Sequence, residues 1–191
     1  VPISAIYDHI TELNYLINYI NNNFQYIIGN PPWGYEFSEY EKSKLRSVYK
    51  CTSRKNIESY DVFIEQALNH LADDGHLAYV LPEAILNVKA HTDIRKIILE
   101  SCSIKNLDFL GNAFDGVQCP CIILDLQYTH SALSTLGMNV NTGTESFTIN
   151  TERTVSPEYF SFSTADAEYN VMNKIRNISN ASYLLGNADF A

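Results

Sequence analysis

A short apolar run cut off by two consecutive prolines constrains the fold more than any other part of this sequence. Residues 24–28 read Phe-Gln-Tyr-Ile-Ile, a composition rich in aromatic and β-branched side chains that is typical of a strand. Pro31 and Pro32 follow after Gly29 and Asn30, and neither proline can donate a hydrogen bond to a neighbouring strand. The sequence therefore predicts that the chain leaves a sheet here through a stiff loop with free carbonyl oxygens.

Strand and helix patterns alternate downstream of this loop. Apolar residues at helical spacing predict a helix over residues 59–73 and another that begins near Thr92. Strands are expected over residues 76–81, 104–110 and 121–127, and such alternation is typical of a parallel α/β sheet. Only about ten residues separate the last two strands, which is too short for a helical crossover, so we expect this pair to be antiparallel.

The two ends of the chain are expected to differ from this central region. Isoleucines and a leucine at helical spacing predict an amphipathic helix over residues 4–21. Residues 129–164 are rich in Ser, Thr, Asn and Gly and only weakly periodic. We therefore expect them to be irregular, with a short helix behind them.

Composition and charge restrict the class of protein. An apolar fraction of 46% supports a buried core, and no apolar run approaches the ~20 residues of a membrane-spanning helix. The net charge of -9 argues against a protein that wraps nucleic acid over most of its surface. The four cysteines show neither a disulfide framework nor metal-ligand spacing, so we expect a reduced, cytoplasmic protein without a metal site.

One stretch departs from this acidic average. Residues 42–55 contain no acidic residue and six of the 13 basic residues, namely Lys42, Lys44, Arg46, Lys50, Arg54 and Lys55. Charge runs are usually solvated surface segments, but this one lies beside the proline loop in the sequence. Contact with phosphate groups is therefore kept as the alternative to a merely solvated surface.

The loop itself offers hydrogen-bond acceptors beside a flat apolar ring. The amide oxygen of Asn30 and the carbonyl of Pro31 suit a planar amino group, which must donate two hydrogen bonds. Trp33 adds a face on which a planar ring can stack, an interaction worth about 1–3 kcal/mol per nucleic-acid base. The alternative is an ordinary Pro-Pro turn next to a tryptophan of the core.

Several motifs together resemble one family of enzymes. Residues 24–33 resemble motif IV of the adenine-N6 DNA methyltransferases, whose usual form is Asn/Asp/Ser-Pro-Pro-aromatic. Residues 60–68 resemble the helix after that motif, and residues 74–82 resemble the strand that ends in Val-x-Pro. Gly-Asn-Ala-Phe at 111–114, with the strand that follows, resembles the motif VIII hairpin. The nearest subgroup is the single-chain methyltransferases of restriction-modification and phage-defence systems.

The resemblance implies a fold and a set of roles. The fold is a partial Rossmann-like class I S-adenosylmethionine-dependent methyltransferase sheet, mostly parallel with a terminal antiparallel hairpin, followed by an irregular extension. Catalysis is assigned to Asn30, Pro31, Pro32 and Trp33, and the target is an adenine flipped out of double-stranded DNA. The side chain of Asn30 and the carbonyl of Pro31 would accept the two amino hydrogens. Trp33 and Phe114 would stack on the base, while the basic residues of 42–55 would contact the DNA backbone.

The cofactor site is expected to be incomplete in this chain. S-adenosylmethionine is the implied cofactor, but its Gly-rich turn should precede motif IV and no glycine precedes Gly29, so its binding residues stay unknown. We expect residues 1–128 to be the C-terminal half of a catalytic domain and residues 129–191 to be a linker and the start of a target-recognition domain. The missing N-terminal half and that recognition domain are then expected partners, and the chain alone is expected to be inactive.

Two other functions stay open at this point. Protein-glutamine methyltransferases and some RNA methyltransferases use related loops, because a glutamine amide also presents a planar amino group. A non-catalytic methyltransferase-like binding module is the second alternative, because the cofactor half is missing.

Asp61 is interpreted as a helix-start acid favoured by the helix dipole, with cofactor contact as the alternative. Three of the five histidines, His70, His76 and His91, are interpreted as structural or surface residues.

Overall fold

The fold consists of one mixed sheet with helices packed against it. The computed structural model describes residues 10–18, 23–114, 116 and 118–177. Within these residues the strands are β1 (Phe24–Gly29), β2 (Leu71–Pro82), β3 (Cys102–Gly111), β4 (Cys121–Tyr128), β5 (Asn139–Asn141) and β6 (Ser146–Thr148). The α-helices are α1 (Glu39–Val48), α2 (Ser59–Asn69), α3 (Thr92–Ser101) and α4 (Asp166–Asn177). Short 3-10 turns span Lys50–Thr52, Glu83–Leu86 and Lys89–His91.

The strand order is β1-β2-β4-β3-β5-β6. β1 pairs with β2 and β3 pairs with β5 in parallel, whereas β4 lies antiparallel between β2 and β3. β6 is the edge strand next to β5 and pairs with it antiparallel. The shared direction of β1, β2, β3 and β5 confirms the α/β class, and the β3-β4 hairpin confirms the expected antiparallel pair.

The core lies on one face of this sheet. Side chains alternate along β2 and β4, so that every second residue is buried, as a sheet with one covered face requires. The buried set on these strands is paired in register and comprises Leu77, Tyr79, Leu81, Ile122, Leu124 and Leu126. Apolar residues of α2 and α3 cover it, among them Val62, Ile94 and Ile98, each with no exposed surface.

The predicted helix over residues 59–73 is too long, because α2 ends at Asn69. Leu71 instead begins β2 and pairs with Phe24 at the start of β1. The chain then passes Asp74, which has a positive φ of 59°, and Gly75, where an added Cβ would lie 2.8 Å from a carbonyl oxygen. Strand pairing with β1 therefore overrides the helical pattern of the sequence.

The predicted helix over residues 4–21 is wrong where the structure describes it. Residues 10–18 form an irregular segment with one turn, and the rest of the predicted range lies outside the described residues. The side chain of Asn14 accepts from the backbone of Leu16, and the side chain of Asn18 accepts from the backbone of Asn14. Such local side-chain bonds compete with helical hydrogen bonds.

The segment expected to be irregular, residues 129–164, contains two short strands that the sequence pattern did not predict. β5 and β6 are three residues each, too short for alternation to be visible, and β5 adds to the sheet through its neighbour β3. Buried Met138, Val140 and Ile149 attach this segment to the core. None of the helices in the described part of the chain has the length and apolar character needed to cross a membrane.

A fully buried arginine joins three segments of the fold. Arg95 on α3 has no exposed surface, and its guanidinium donates to four backbone carbonyls. Ile85 and Val88 supply two of them, at 2.6 and 2.9 Å, and Pro157 and Glu158 supply the others, at 2.7 and 2.8 Å. The turn after β2 and the segment before α4 are thereby attached to α3.

A buried Asp-His-Tyr cluster ties the start of α2 to the turn before α3. His91 Nδ1 lies 2.9 and 3.0 Å from the two carboxylate oxygens of Asp61, and Nε2 lies 2.7 Å from the Tyr60 hydroxyl. All three residues are less than 5% exposed. Burial raises the pKa of Asp61, while the His91 hydrogen bonds act in the opposite direction.

We expect Arg95→Met to lower the free energy of unfolding by roughly 3–5 kcal/mol, because four buried or partly buried carbonyls lose their donor. Urea denaturation measures the change. The matched control is Lys96→Met, the next residue of α3, whose side chain is 66% exposed. Equal stability losses in the two variants would contradict the role given to Arg95.

We expect Asp61→Ala to lower the free energy of unfolding by about 2–4 kcal/mol, because His91 then keeps a buried donor without an acceptor. The chain holds a surface pair of the same chemistry, His130 with Asp73, whose side chains are 55% and 90% exposed. Asp73→Ala should leave stability almost unchanged. Thermal and urea unfolding of both variants would test the difference, and a neutral Asp61→Ala would refute it.

Candidate active site

The proline loop leaves the sheet at the carboxyl end of β1. Gly29 is the last paired residue of β1 and lies opposite Tyr79 in β2, so Asn30 stands one residue beyond the sheet. Asn30 and Pro32 are exposed, whereas Pro31 is buried. In open α/β sheets ligands bind beyond the carboxyl ends of the strands, which is where these acceptors lie.

Two aromatic residues from distant parts of the chain meet at this loop. The ring centroids of Trp33 and Phe114 are 5.6 Å apart, and the rings stand edge to face at 74°. Phe114 is 40% exposed, and the indole Nε1 of Trp33 is buried with no acceptor among the described residues. The two rings are thus close enough to contact one ligand, but they must separate before a planar ring can lie between them.

Ser59, the first residue of α2, forms two hydrogen bonds with the proline loop and the residues that follow it. The hydroxyl of Ser59 donates to the carbonyl of Pro32 at 2.6 Å and accepts from the backbone N–H of Tyr35 at 3.4 Å. Ser59 is only 1% exposed. Sequence reasoning missed Ser59 and the cluster formed by Asp61 and His91, because contacts across about 30 residues leave no local pattern.

A cavity of about 410 Å³ opens beside Asn30 and Pro31, along the outer edge of β1. Its other walls include the rings of Tyr15, Phe63 and Tyr79. Burial raises the pKa of Tyr15 to about 12, so this hydroxyl is protonated at neutral pH. Among the described residues, those that line the cavity include no acidic side chain. The cavity therefore suits an uncharged planar group.

Four of the six basic side chains in residues 42–55 form an ion pair, a cation–π contact or a hydrogen bond within the described part of the chain. Lys42 pairs with Glu39 at 2.7 Å, and the ammonium of Lys44 lies 4.7 Å from the centroid of the Tyr40 ring. Arg46 donates to the carbonyl of Lys55, and Arg54 lies 3.7 Å from Asp93.

Lys50 and Lys55 are exposed and form no ion pair within the described part of the chain. The hydrogen bond from Arg46 to the Lys55 carbonyl joins α1 to the loop that follows it. The two unpaired lysines are the most available members of the group.

Relatives of the chain share this region. The Eco57I restriction-modification methylase family matches residues 5–115. The type II methyltransferase M.VspI of Vibrio sp. (strain 343) is 26% identical over 128 residues, which cover 66% of this chain and 31% of that protein. M.CvrRI of Paramecium bursaria Chlorella virus XZ-6E, also a type II methyltransferase, is 36% identical over 97 residues, which cover 48% of this chain and 24% of that protein. The chain thus spans less than a third of either relative.

Solved structures share the fold. A protein from Listeria monocytogenes assigned to the class I S-adenosylmethionine-dependent methyltransferases superposes with a TM-score of 0.52 at 19% identity, over 64% of this chain and 39% of that one. The family match extends over more than half of the chain and includes the whole proline loop and Phe114. The chain belongs to the Eco57I restriction-modification methylase family.

Proposed function

We propose that the protein transfers a methyl group from S-adenosylmethionine to the N6 amino group of an adenine in double-stranded DNA. The observation that carries this proposal is the loop of Asn30, Pro31, Pro32 and Trp33 at the carboxyl end of β1, with Phe114 beside it. Family membership supports methyl transfer within a restriction-modification system. The acceptors of the loop support an amino group as the target, and the choice of adenine rests on the resemblance of residues 24–33 to motif IV of the adenine-N6 DNA methyltransferases.

The loop would act by positioning the amino group. The Asn30 side-chain oxygen and the Pro31 carbonyl accept its two hydrogens, which fixes the nitrogen and directs its lone pair away from the ring. The nitrogen would attack the methyl carbon in line with the sulfonium sulfur, the carbon–sulfur bond would break to leave S-adenosylhomocysteine, and the nitrogen would then pass one proton to solvent. Because the prolines carry no N–H, no backbone donor of Pro31 or Pro32 competes for these oxygens. The acceptors are in place before the base arrives, which is electrostatic preorganisation.

The adenine must leave the duplex, because its amino group is otherwise paired. Trp33 would stack on one face of the flipped base and Phe114 would contact the other. Their edge-to-face contact at 5.6 Å occupies this space when no base is bound. Base entry would therefore separate the rings and replace one aromatic contact with two.

The cavity beside Asn30 fits part of the cofactor. S-adenosylmethionine supplies an electrophilic methyl group on a sulfonium, and its planar adenine ring suits walls formed by Tyr15, Phe63 and Tyr79. A ribose is usually held by an acidic side chain, and the described lining contains none. We therefore propose that the acid and the Gly-rich turn come from residues outside this chain or from a partner chain.

The same proposal extends to the domain arrangement. Residues 1–128 would supply the C-terminal half of the catalytic domain, and residues 129–191 would lead toward a target-recognition domain. β5 lies beyond this boundary but pairs with β3, so the linking segment is joined to the catalytic sheet.

Substitution of Asn30 tests the function. Asn30→Leu, which removes the acceptor at similar volume, should lower the rate of methyl transfer at least ~100-fold. Asn30→Asp keeps an oxygen acceptor and should retain more activity than Asn30→Leu. The measurement uses the full reading frame that contains this chain, labelled S-adenosylmethionine, and unmethylated DNA offered beside RNA and a protein rich in exposed glutamine. Label in protein or RNA, with none in DNA, would replace the proposal with one of its alternatives.

The unpaired lysines test the proposed binding to the DNA backbone. Replacing Lys50 and Lys55 with alanine should weaken DNA binding equally for all sequences. A plot of log K against log salt has a negative slope. The magnitude of this slope should decrease by about 1 for each phosphate that the protein no longer neutralises. A double variant of Lys96 and Lys174, two exposed lysines elsewhere on the chain, is the matched control. An unchanged slope in the Lys50 and Lys55 variant would show that these residues do not contact DNA.

A further inference from the structure

Between the carbonyl of Pro31 and the backbone nitrogen of Trp33, the proline loop has a single torsion that neither a proline ring nor a following proline restricts. A residue that precedes proline is confined to extended conformations, and this applies both to Asn30 and to Pro31. The ring of Pro32 fixes its own φ. The next residue, Trp33, is not a proline, so the ψ torsion of Pro32 is not restricted in the same way. Rotation about this bond turns the Pro32 carbonyl and swings Trp33 relative to Asn30.

Ser59 holds the group that this rotation would move. Its hydroxyl donates to the Pro32 carbonyl at 2.6 Å, a short hydrogen bond, and accepts from the N–H of Tyr35 on the far side of Trp33. The hydroxyl thus bridges the two ends of the segment that carries the ring. It also occupies one of the two lone pairs of the Pro32 carbonyl.

Ser59 is itself held rigidly. It is 1% exposed and begins α2, and the next two residues, Tyr60 and Asp61, both bind His91. The first turn of α2 is therefore fixed to the segment before α3. Because the helix turn that carries it is fixed, the Ser59 hydroxyl can hold a carbonyl in one orientation, which a mobile side chain could not do.

We propose that Ser59 is a positioning residue: it locks the ψ torsion of Pro32 and so holds Trp33 at a set angle to the acceptors of Asn30 and Pro31. The effect of Ser59 on the rate of methyl transfer rests on the proposed function. Its effect on the orientation of Trp33 does not. Loss of the hydroxyl should leave cofactor binding intact and reduce the fraction of bound base that is aligned for attack.

Kinetics of the full-length protein test the effect of Ser59 on the rate of methyl transfer. Ser59→Ala should lower kcat about tenfold and leave the KM for S-adenosylmethionine unchanged, because alignment and not cofactor binding is impaired. Ser59→Thr keeps the hydroxyl and should recover most of the rate. Ser101→Ala, which removes a hydroxyl bound to the Ile97 carbonyl at the far end of α3, is the matched control and should match wild type. A wild-type kcat in Ser59→Ala would overturn the proposal.

Fluorescence tests the effect of Ser59 on the orientation of Trp33 without any methyl transfer. Trp33 is the single tryptophan of this chain, and its signal in the full-length protein is the difference between variants with and without Trp33→Phe. Ser59→Ala should shift Trp33 emission to longer wavelength and increase its quenching by acrylamide, while Ser101→Ala should change neither. Unchanged emission and quenching would overturn the proposal even if wild type methylates DNA. A protein that methylates nothing would refute the proposed function and leave this readout valid.

Discussion

Two consecutive prolines at the end of β1 are the constraint on which the candidate site depends. Neither can extend the ladder with β2, so the chain leaves the sheet at its carboxyl edge. The two proline rings fix φ of Pro31 and Pro32 and also confine Asn30 and Pro31, so the Pro31 carbonyl and the backbone that carries the Asn30 side chain are stiff before any ligand binds. A planar amino group can then be bound with little ordering of the loop, which favours catalysis by position.

The stiff loop is supported by polar groups buried in the body of the fold. Ser59 binds the loop, the contacts of His91 hold the first turn of α2, and Arg95 binds the carbonyls around α3. Each of these groups is satisfied mainly by backbone or by another buried side chain, as low-dielectric surroundings require. The loop and the buried cluster of Tyr60, Asp61 and His91 are therefore joined through the first turn of α2.

Local patterns in the sequence predicted the strands around the loop well, because strand alternation and proline stops are visible over a few residues. The same reasoning extended the helix before β2 too far, since only pairing of Leu71 with Phe24 reveals where it ends. It also overlooked β5, which is three residues long, and the contact between Asp61 and His91. The proximity of Trp33 and Phe114 followed from family resemblance, because no periodicity relates residues so far apart.

The central claim is that the acceptors of Asn30 and Pro31 hold the amino group of an adenine. The most direct measurement is mass spectrometry of nucleosides from DNA treated with the full-length protein and S-adenosylmethionine labelled in its methyl group. We expect label in N6-methyldeoxyadenosine. Label in 5-methyldeoxycytidine would contradict the claim outright, because a ring carbon offers no amino hydrogens to two acceptors. Label in N4-methyldeoxycytidine would keep the amino-group geometry and contradict the choice of base.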